Sequence, residues 1–116
     1  MYVEGLLVPV PKARLDDDRS WAERISDLFL EYGATRVVES VAEGLDMGKI
    51  TSFPRAVQLE DGEVVVFSWL EFPDKPTRDA CMTQAFEDPR MGSPEDMPMD
   101  GKRMIFAGFD TILERS

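Results

Sequence analysis

Apolar residues alternate along the segment EVVVFSWLEF at residues 63–72, and they occupy both of the sides that a strand would present. Val64, Val66, Leu70 and Phe72 would share one side, and Val65, Phe67 and Trp69 the other. The segments 2–10 and 103–113 repeat this two-sided pattern. A sheet built from these strands therefore needs cover on both of its faces.

Two further segments repeat their apolar residues at the spacing of a helix. In residues 16–32 the apolar stripe consists of Trp21, Ile25, Leu28, Phe29 and Tyr32. Three aspartates stand where a helix N-terminus favours negative charge, and Gly33 follows as a C-terminal glycine. The second predicted helix covers residues 74–87, has Cys81, Met82, Ala85 and Phe86 on its apolar side, and ends at Asp88-Pro89.

The order of the segments predicts the fold class. Asp61-Gly62 is a strong hairpin signal, so we expect residues 51–60 to run antiparallel to residues 63–72. Residues 35–43 are extended as well and would form, with 51–60, one long second strand interrupted at 44–50. Strand, helix, strand, strand, helix, strand is the split βαβ order of a ferredoxin-like α+β fold, with a four-stranded antiparallel sheet.

Two helices can cover only one face of such a sheet, because right-handed crossovers place both of them on the same side. The helix-free face is also apolar, and a second copy of the chain is the simplest cover for it. We therefore predict a single domain over residues 1–116 and a homodimer that joins two helix-free sheet faces. This arrangement is a dimeric α/β barrel.

The composition excludes several classes of chemistry. The chain has no histidine, one cysteine and a net charge of −10. Ser-His-Asp and Cys-His mechanisms, haem ligation by histidine and thiolate metal clusters are therefore excluded, and we expect no cofactor and no bound transition metal. The negative charge opposes nucleic acid, and no apolar run is long enough for a membrane span. A single thiol fits the reducing cytoplasm, which is the expected location.

Polar residues inside the predicted strands are the candidate site residues, since buried polar groups need partners. We predict that a ligand site would draw on Arg36, Glu39, Ser68, Trp69 and Arg103. Each also has a simpler structural role. Arg36 would form an ion pair with Glu39 or Glu71, Ser68 would be a satisfied core hydroxyl, and Trp69 a core or interface aromatic. Arg103, which follows Asp100-Gly101-Lys102, would otherwise be a solvated turn residue.

The chain also resembles a known family along nearly its whole length. The stretches YVEGLLVPVPK, EYGATRVVE, VVFSWLEFP, RDA, DPRM and MPMDGKRMIFAGF are similar to the YbaA-like family of uncharacterised bacterial proteins. This resemblance implies a member of the dimeric α/β-barrel superfamily. It implies no established activity.

Three functions follow as expectations. The first is a small-molecule-binding homodimer whose ligand is acidic or aromatic. The second, by analogy within the superfamily, is a cofactor-independent monooxygenase or isomerase, which a pocket holding Trp69 with Arg36 or Glu39 would favour. The third is an RNA-associated protein, which the net charge of −10 disfavours.

Overall fold

The structure is a computed structural model that describes residues 1–116. Its helices and strands, in chain order, are β1 (Tyr2–Pro11), α1 (Leu15–Glu31), β2 (Arg36–Val41), α2 (Phe53–Ala56), β3 (Glu63–Phe72), α3 (Lys75–Glu87) and β4 (Ile105–Asp110). Single 3₁₀ turns lie at Lys12–Arg14, Pro89–Met91 and Pro94–Asp96. No helix has both the length and the apolar character that crossing a membrane requires.

The four strands form one antiparallel sheet in the order β2-β3-β1-β4. β1 lies inside the sheet, and β2 and β4 are the two edges. In the register of β1 against β3, Tyr2 is opposite Phe72 and Val8 is opposite Val66. This confirms the predicted α+β class with a four-stranded antiparallel sheet.

The two long helices begin and end close to the predicted residues, for local reasons. At the start of α3 the Asp74 carboxylate accepts a hydrogen bond from the Thr77 backbone N–H at 2.8 Å, and Pro76 lies in the first turn. In α1 the three aspartates occupy the first turn, where the helix dipole favours them. Gly33 follows α1 with a φ of 134°, which only glycine adopts readily.

The predicted strand at residues 51–60 is wrong, and so is the hairpin that would have joined it to β3. The segment instead forms the short helix α2, because Ser52 caps its N-terminus by accepting from the Arg55 N–H at 3.2 Å. Pro54 stands in the first turn, where a missing N–H costs nothing, whereas in a strand it would remove a ladder bond. The second strand is therefore short, and β3 pairs with β1 and β2.

The core lies between the sheet and the two long helices. The row of β3 that faces these helices is the even-numbered one, together with the even-numbered residues of β1. Six of its large side chains are nearly inaccessible to water: Tyr2, Val8, Val10, Val66, Leu70 and Phe72. Burial of each apolar side chain of this size contributes about 1.5–3 kcal/mol. From α1, Ile25 and Leu28 complete this side of the core.

The helix-free face is partly covered by the chain itself. Val65 and Pro9 belong to this face and are nevertheless buried. The segment that contains α2 lies over this end of the sheet, since the Phe53 ring contacts the Phe67 ring at 6.4 Å between centroids and Val57 is buried. The rest of the face stays open to solvent.

Candidate functional site

A cavity of about 970 Å³ lies between the helix-covered face of the sheet and the two long helices. Its floor includes Leu6 and Leu70 of the sheet, and its walls include Trp21 and Phe29 of α1. The loop that leads from α3 to β4 closes another side. The volume is at the upper end of the range for small-molecule sites, and most of the lining is apolar, as in such sites.

Methionine forms much of the remaining lining of the cavity. Of the seven methionines in the chain, five line the cavity: Met82, Met91, Met97, Met99 and Met104. The thioether side chain is unbranched and polarizable, so it adapts to ligands of different shape and packs well against aromatic rings. This wall favours an apolar or aromatic ligand.

One polar cluster in the cavity is fully paired within the protein. Arg78 of α3 donates to the buried Glu4 carboxylate of β1 at 2.5 Å, to the Tyr2 hydroxyl at 3.2 Å and to Asp79 at 2.8 Å. Gly108 of β4 leaves the space for this cluster, because a Cβ there would collide with the Tyr2 hydroxyl. The cluster joins α3 to the sheet, and it leaves the Arg78 guanidinium committed to protein partners.

A second polar cluster has no basic partner. Glu39 of β2 and Ser68 of β3 are cross-strand neighbours, and both line the cavity. The Asp18 carboxyl group of α1 faces the Glu39 carboxyl group from above. Asp18 is only 1% exposed, and its Oδ1 has no N–H or hydroxyl donor, so its nearest polar contact is the carboxyl group of Glu39. Neither carboxyl group forms an ion pair with a protein cation.

Desolvation perturbs the proton affinity of both carboxyl groups, strongly for Asp18, which is buried, and only on the cavity side for Glu39, which is exposed on the edge strand. Burial of the carboxyl group, opposed by the Ser68 hydroxyl and reinforced by the Asp18 charge, raises the pKa of Glu39 to about 7. Burial likewise raises the pKa of Asp18, against a smaller lowering by its contact with Glu39. The two groups titrate together, so near neutral pH the pair holds a shared proton for part of the time.

We expect Glu39→Gln to remove a pH dependence of stability. The folded pKa of Glu39, about 7, lies above its ordinary value of 4.5, so the folded state retains a proton that the unfolded state loses. Stability from this group is therefore present at low pH and lost as pH rises between these two values. Because β2 is an edge strand open to solvent, we expect the unmodified chain to lose only about 1 kcal/mol of unfolding free energy over this pH range. Urea unfolding at about pH 5.5 and about pH 8 measures it.

The control for this change is Glu43→Gln, which alters the same charge at an exposed position just beyond β2. Glu43→Gln should keep the pH dependence of the unmodified chain, and Glu39→Gln should show a flatter one. If the unfolding free energy of Glu39→Gln changed with pH as much as that of the unmodified chain, the raised pKa of Glu39 would be contradicted.

The sheet separates the predicted site residues onto two faces. Glu39 and Ser68 line the cavity, whereas Arg36 and Trp69 lie on the helix-free face. The predicted ion pair of Arg36 is confirmed for Glu71, with a distance of 3.7 Å between Nη1 and Oε2. Trp69 donates its indole N–H to the Glu71 carboxylate at 2.9 Å. The five predicted residues therefore do not form one site.

Arg103 lies in the loop before β4 and is engaged by the protein. Its guanidinium binds Glu63 through two parallel hydrogen bonds of 2.7 Å and also donates to Asp100 at 3.0 Å and to the Gln58 carbonyl at 3.1 Å. The charged side chain thus ties the segment after α2 to β3 and to the last loop. Its predicted contact with an acidic ligand stays a prediction.

Sequence reasoning did not select the residues that form most of the cavity. Asp18 appeared only as a favourable charge at a helix start, and Trp21 only as a member of an apolar stripe. One signal was available for the methionine wall. The loop RMGSPEDMPMDG is rich in proline, glycine and charge, and yet it contains Met91, Met97 and Met99, which a purely solvated loop would not need.

Comparisons with known proteins agree with the sequence resemblance. Residues 1–101 match the family model described as "Protein of unknown function (DUF1428)". The uncharacterized protein YbaA of Escherichia coli (strain K12) is 46% identical over 114 residues, which is 97% of each chain, and YbaA of Shigella flexneri gives the same values.

Among solved structures, the crystal structure of an uncharacterized NIPSNAP domain protein from Burkholderia xenovorans has a TM-score of 0.60 at 14% identity. The match covers 96% of this chain and 94% of that one. At this identity the likeness concerns the fold alone, and it fits the ferredoxin-like arrangement of the sheet and helices. Because the family model spans most of the sequence and the YbaA relatives match it end to end, the chain belongs to the DUF1428 family.

Proposed function

We propose that this chain is a single-domain, homodimeric protein of the cytoplasm that binds a small, largely apolar molecule containing a ring. The binding site is the cavity between the helix-covered face of the sheet and the helices α1 and α3. The observation that carries the proposal is this cavity of about 970 Å³, with its aromatic and methionine lining. A cytoplasmic location is consistent with one buried, unpaired thiol at Cys81.

The charges in the cavity favour a neutral or cationic ligand over an acidic one. Three acidic residues line the cavity, Glu4, Glu39 and Asp79, against one basic residue, Arg78. The guanidinium of Arg78 is already bound to Glu4, Asp79 and the Tyr2 hydroxyl. A carboxylate ligand would therefore meet repulsion without a free cation to offset it.

A binding protein accounts for the arrangement better than the catalytic alternative does. The monooxygenase or isomerase hypothesis called for Trp69 in one pocket with Arg36 or Glu39. Trp69 and Glu39 point to opposite faces of the sheet and cannot share a pocket within the chain. Trp69 does share the helix-free face with Arg36, but there the Arg36 guanidinium and the Trp69 indole N–H both bind Glu71, and the large cavity lies on the other face. Association with RNA has no support from a chain whose net charge is −10.

The homodimer rests on the helix-free face. Its exposed apolar side chains include Phe67, Ile105 and Phe109, which are 43%, 44% and 57% accessible. Strands spaced about 4.8 Å apart, with 3.4 Å per residue, make a face roughly 19 Å wide and at least 20 Å long. The flat area of this face is about 400 Å² over the short edge strands and about 650 Å² over the full length of the ten-residue strands, so the interface would lie at the small end of stable interfaces, which bury about 800 Å² per partner. The charges Arg36–Glu71 and Glu63–Arg103 lie at its rim.

Titration with the neutral dye prodan, a naphthalene whose fluorescence depends on polarity, tests the cavity. We expect saturable binding with a blue shift, and a loss of at least about tenfold in affinity in Ala22→Trp, because the larger ring would fill the cavity. Ala80→Trp is the matched control, since Ala80 is exposed on α3 and does not line the cavity. Absence of saturable binding, or equal affinity in both variants, would overturn the proposal.

A further inference from the structure

The floor of the cavity contains one buried charged group, the carboxylate of Glu4. β1 places this residue inside the sheet, with Leu70 of β3 and Gly108 of β4 as its cross-strand neighbours, and all three residues line the cavity. The Glu4 side chain is only 8% accessible, whereas Glu39 on the edge strand is exposed. Because strands lie on both sides of β1, the part of Glu4 that stays accessible faces the cavity.

The ion pair with Arg78 uses only one oxygen of this carboxylate. Oε1 of Glu4 accepts from Nη1 of Arg78, whereas Oε2 accepts no hydrogen bond from the protein. Among residues that are not exposed, Oδ1 of Asp18 is the one side-chain oxygen that is both sealed from solvent and without a partner. Oε2 of Glu4 is therefore an acceptor of a buried side chain that remains open to the cavity.

The charges around this acceptor already balance one another. Arg78 offsets Glu4, and Lys75 binds the neighbouring Asp79 at 2.9 Å. A cationic ligand would therefore find no uncompensated charge at Oε2, and an anionic ligand would be repelled by the carboxylate. A ligand that displaces water from this oxygen must nevertheless donate a hydrogen bond to it, because an ionised carboxylate only accepts and is costly to leave unpaired.

The helix above the acceptor provides a place for an aromatic body. Along α3, Arg78, Met82 and Phe86 follow one another at steps of four, so they share one stripe, and all three line the cavity. The stripe is roughly 12 Å long, since each step of four rises about 6 Å. Phe86 is 67% exposed although it lines the cavity, and so is Phe106 of β4. Exposed rings in such a position are expected where a ligand covers them.

We propose that the ligand carries a neutral hydroxyl or N–H group at one end of an aromatic body, and that this group donates a hydrogen bond to Oε2 of Glu4. This inference rests on the proposed function, because it names the chemical class of the molecule in the same cavity. A phenol is the simplest member of this class. Its ring lies along Met82 and Phe86, and Arg78 holds the accepting carboxylate in place.

Two probes with the same naphthalene body test the inference by displacement of prodan. The hydroxyl group of 2-naphthol can donate a hydrogen bond, whereas 2-methoxynaphthalene has no donor. At about pH 7 the naphthol keeps its proton, as a phenol does, so neither probe is charged. We expect 2-naphthol to bind at least about tenfold tighter than 2-methoxynaphthalene, because a hydrogen bond to a charged acceptor forms with the first probe only.

Two variants of Glu4 should each lower the ratio of 2-naphthol to 2-methoxynaphthalene affinity about tenfold. The double variant Glu4→Met and Arg78→Met removes the acceptor together with its cation, so it leaves no unpaired charge in the core. Glu4→Gln keeps the size of the side chain and can turn its amide N–H toward the cavity, where it donates instead of accepting. If one variant folds poorly, the other still tests the acceptor. Glu43→Gln is the control for charge alone and should keep the ratio of the unmodified chain.

The outcomes separate this inference from the proposed function. Saturable binding of both naphthalenes with no preference for 2-naphthol would refute the acceptor at Glu4 and leave the apolar cavity supported. A preference that persists in both Glu4 variants would also refute it, and its loss in Glu39→Gln would then place the hydroxyl group at the edge of the sheet. Absence of binding by prodan and by both naphthalenes would overturn the proposed function itself.

Discussion

Replacing Arg78 by methionine is expected to destabilise the fold by about 3–5 kcal/mol, because it leaves the carboxylate of Glu4 buried without a partner. Glu4 is only 6% exposed, and Arg78 is its one cationic contact. The substitution also removes the hydrogen bond to the Tyr2 hydroxyl. Urea unfolding of the purified variant measures the loss.

The same helix provides the control. Lys75 pairs with Asp79 at 2.9 Å, and both side chains are at least half exposed, so Lys75→Met should cost less than about 1 kcal/mol. The double variant Glu4→Met and Arg78→Met should recover much of the stability lost in Arg78→Met, since it buries no unpaired charge. A loss for Arg78→Met no larger than that for Lys75→Met would show that water already solvates Glu4 through the cavity.

Most of the fold could be predicted from local pattern. The helices α1 and α3 begin and end within one residue of their predicted bounds, because apolar periodicity, an acidic first turn, Gly33 and Asp88-Pro89 all agree. The strand predicted at 51–60 from the Asp61-Gly62 hairpin signal does not form, because Ser52 caps a helix start and Pro54 lies in the first helical turn. A serine at the N-cap with a proline in the first turn is a helix-start signal.

The candidate site could be predicted only in part. Strand alternation alone places residues 36 and 39 on opposite faces, as it does residues 68 and 69, so the separation of the five predicted residues was contained in the sequence. The sequence does not show which face of the sheet the helices cover, since both rows of β3 are apolar. That choice depends on how the whole chain packs, and it decides that Glu39 lines the cavity and Trp69 does not.

The contact between Asp18 and Glu39 could not be predicted from the sequence. Asp18 is one of three successive aspartates, and helical geometry shows only that one of them faces the core side. The methionine wall depends on the path of the loop between α3 and β4, for which no periodicity exists. Loops of this kind carry many binding sites for the same reason that they resist prediction.

The second large expected effect follows from the proposed homodimer. Phe109→Asp should convert a dimer of twice 13.1 kDa into a monomer, as measured by sedimentation at micromolar concentration. Phe109 is 57% exposed on β4, within the helix-free face, so a carboxylate there would be buried unpaired only in the dimer. The monomer itself should fold normally, with an unchanged circular dichroism spectrum.

The choice of residue follows from the part of the helix-free face that the chain already covers. Val65 belongs to this face, but it is 2% exposed within one chain, so Val65→Asp would unfold the protein and report nothing about association. Phe109 avoids this ambiguity, and Ile105→Asp on the same strand repeats the test at a second exposed position.

Leu30→Asp serves as the control for an exposed apolar residue elsewhere, because Leu30 lies on α1 and is 47% accessible. It should leave the dimer intact, whereas Phe109→Asp and Ile105→Asp should both dissociate it. A monomeric unmodified chain at micromolar concentration would end the proposal. So would a dimer that survives both substitutions on β4, since two buried, unpaired carboxylates per interface would cost more than the association of a face of this size can supply.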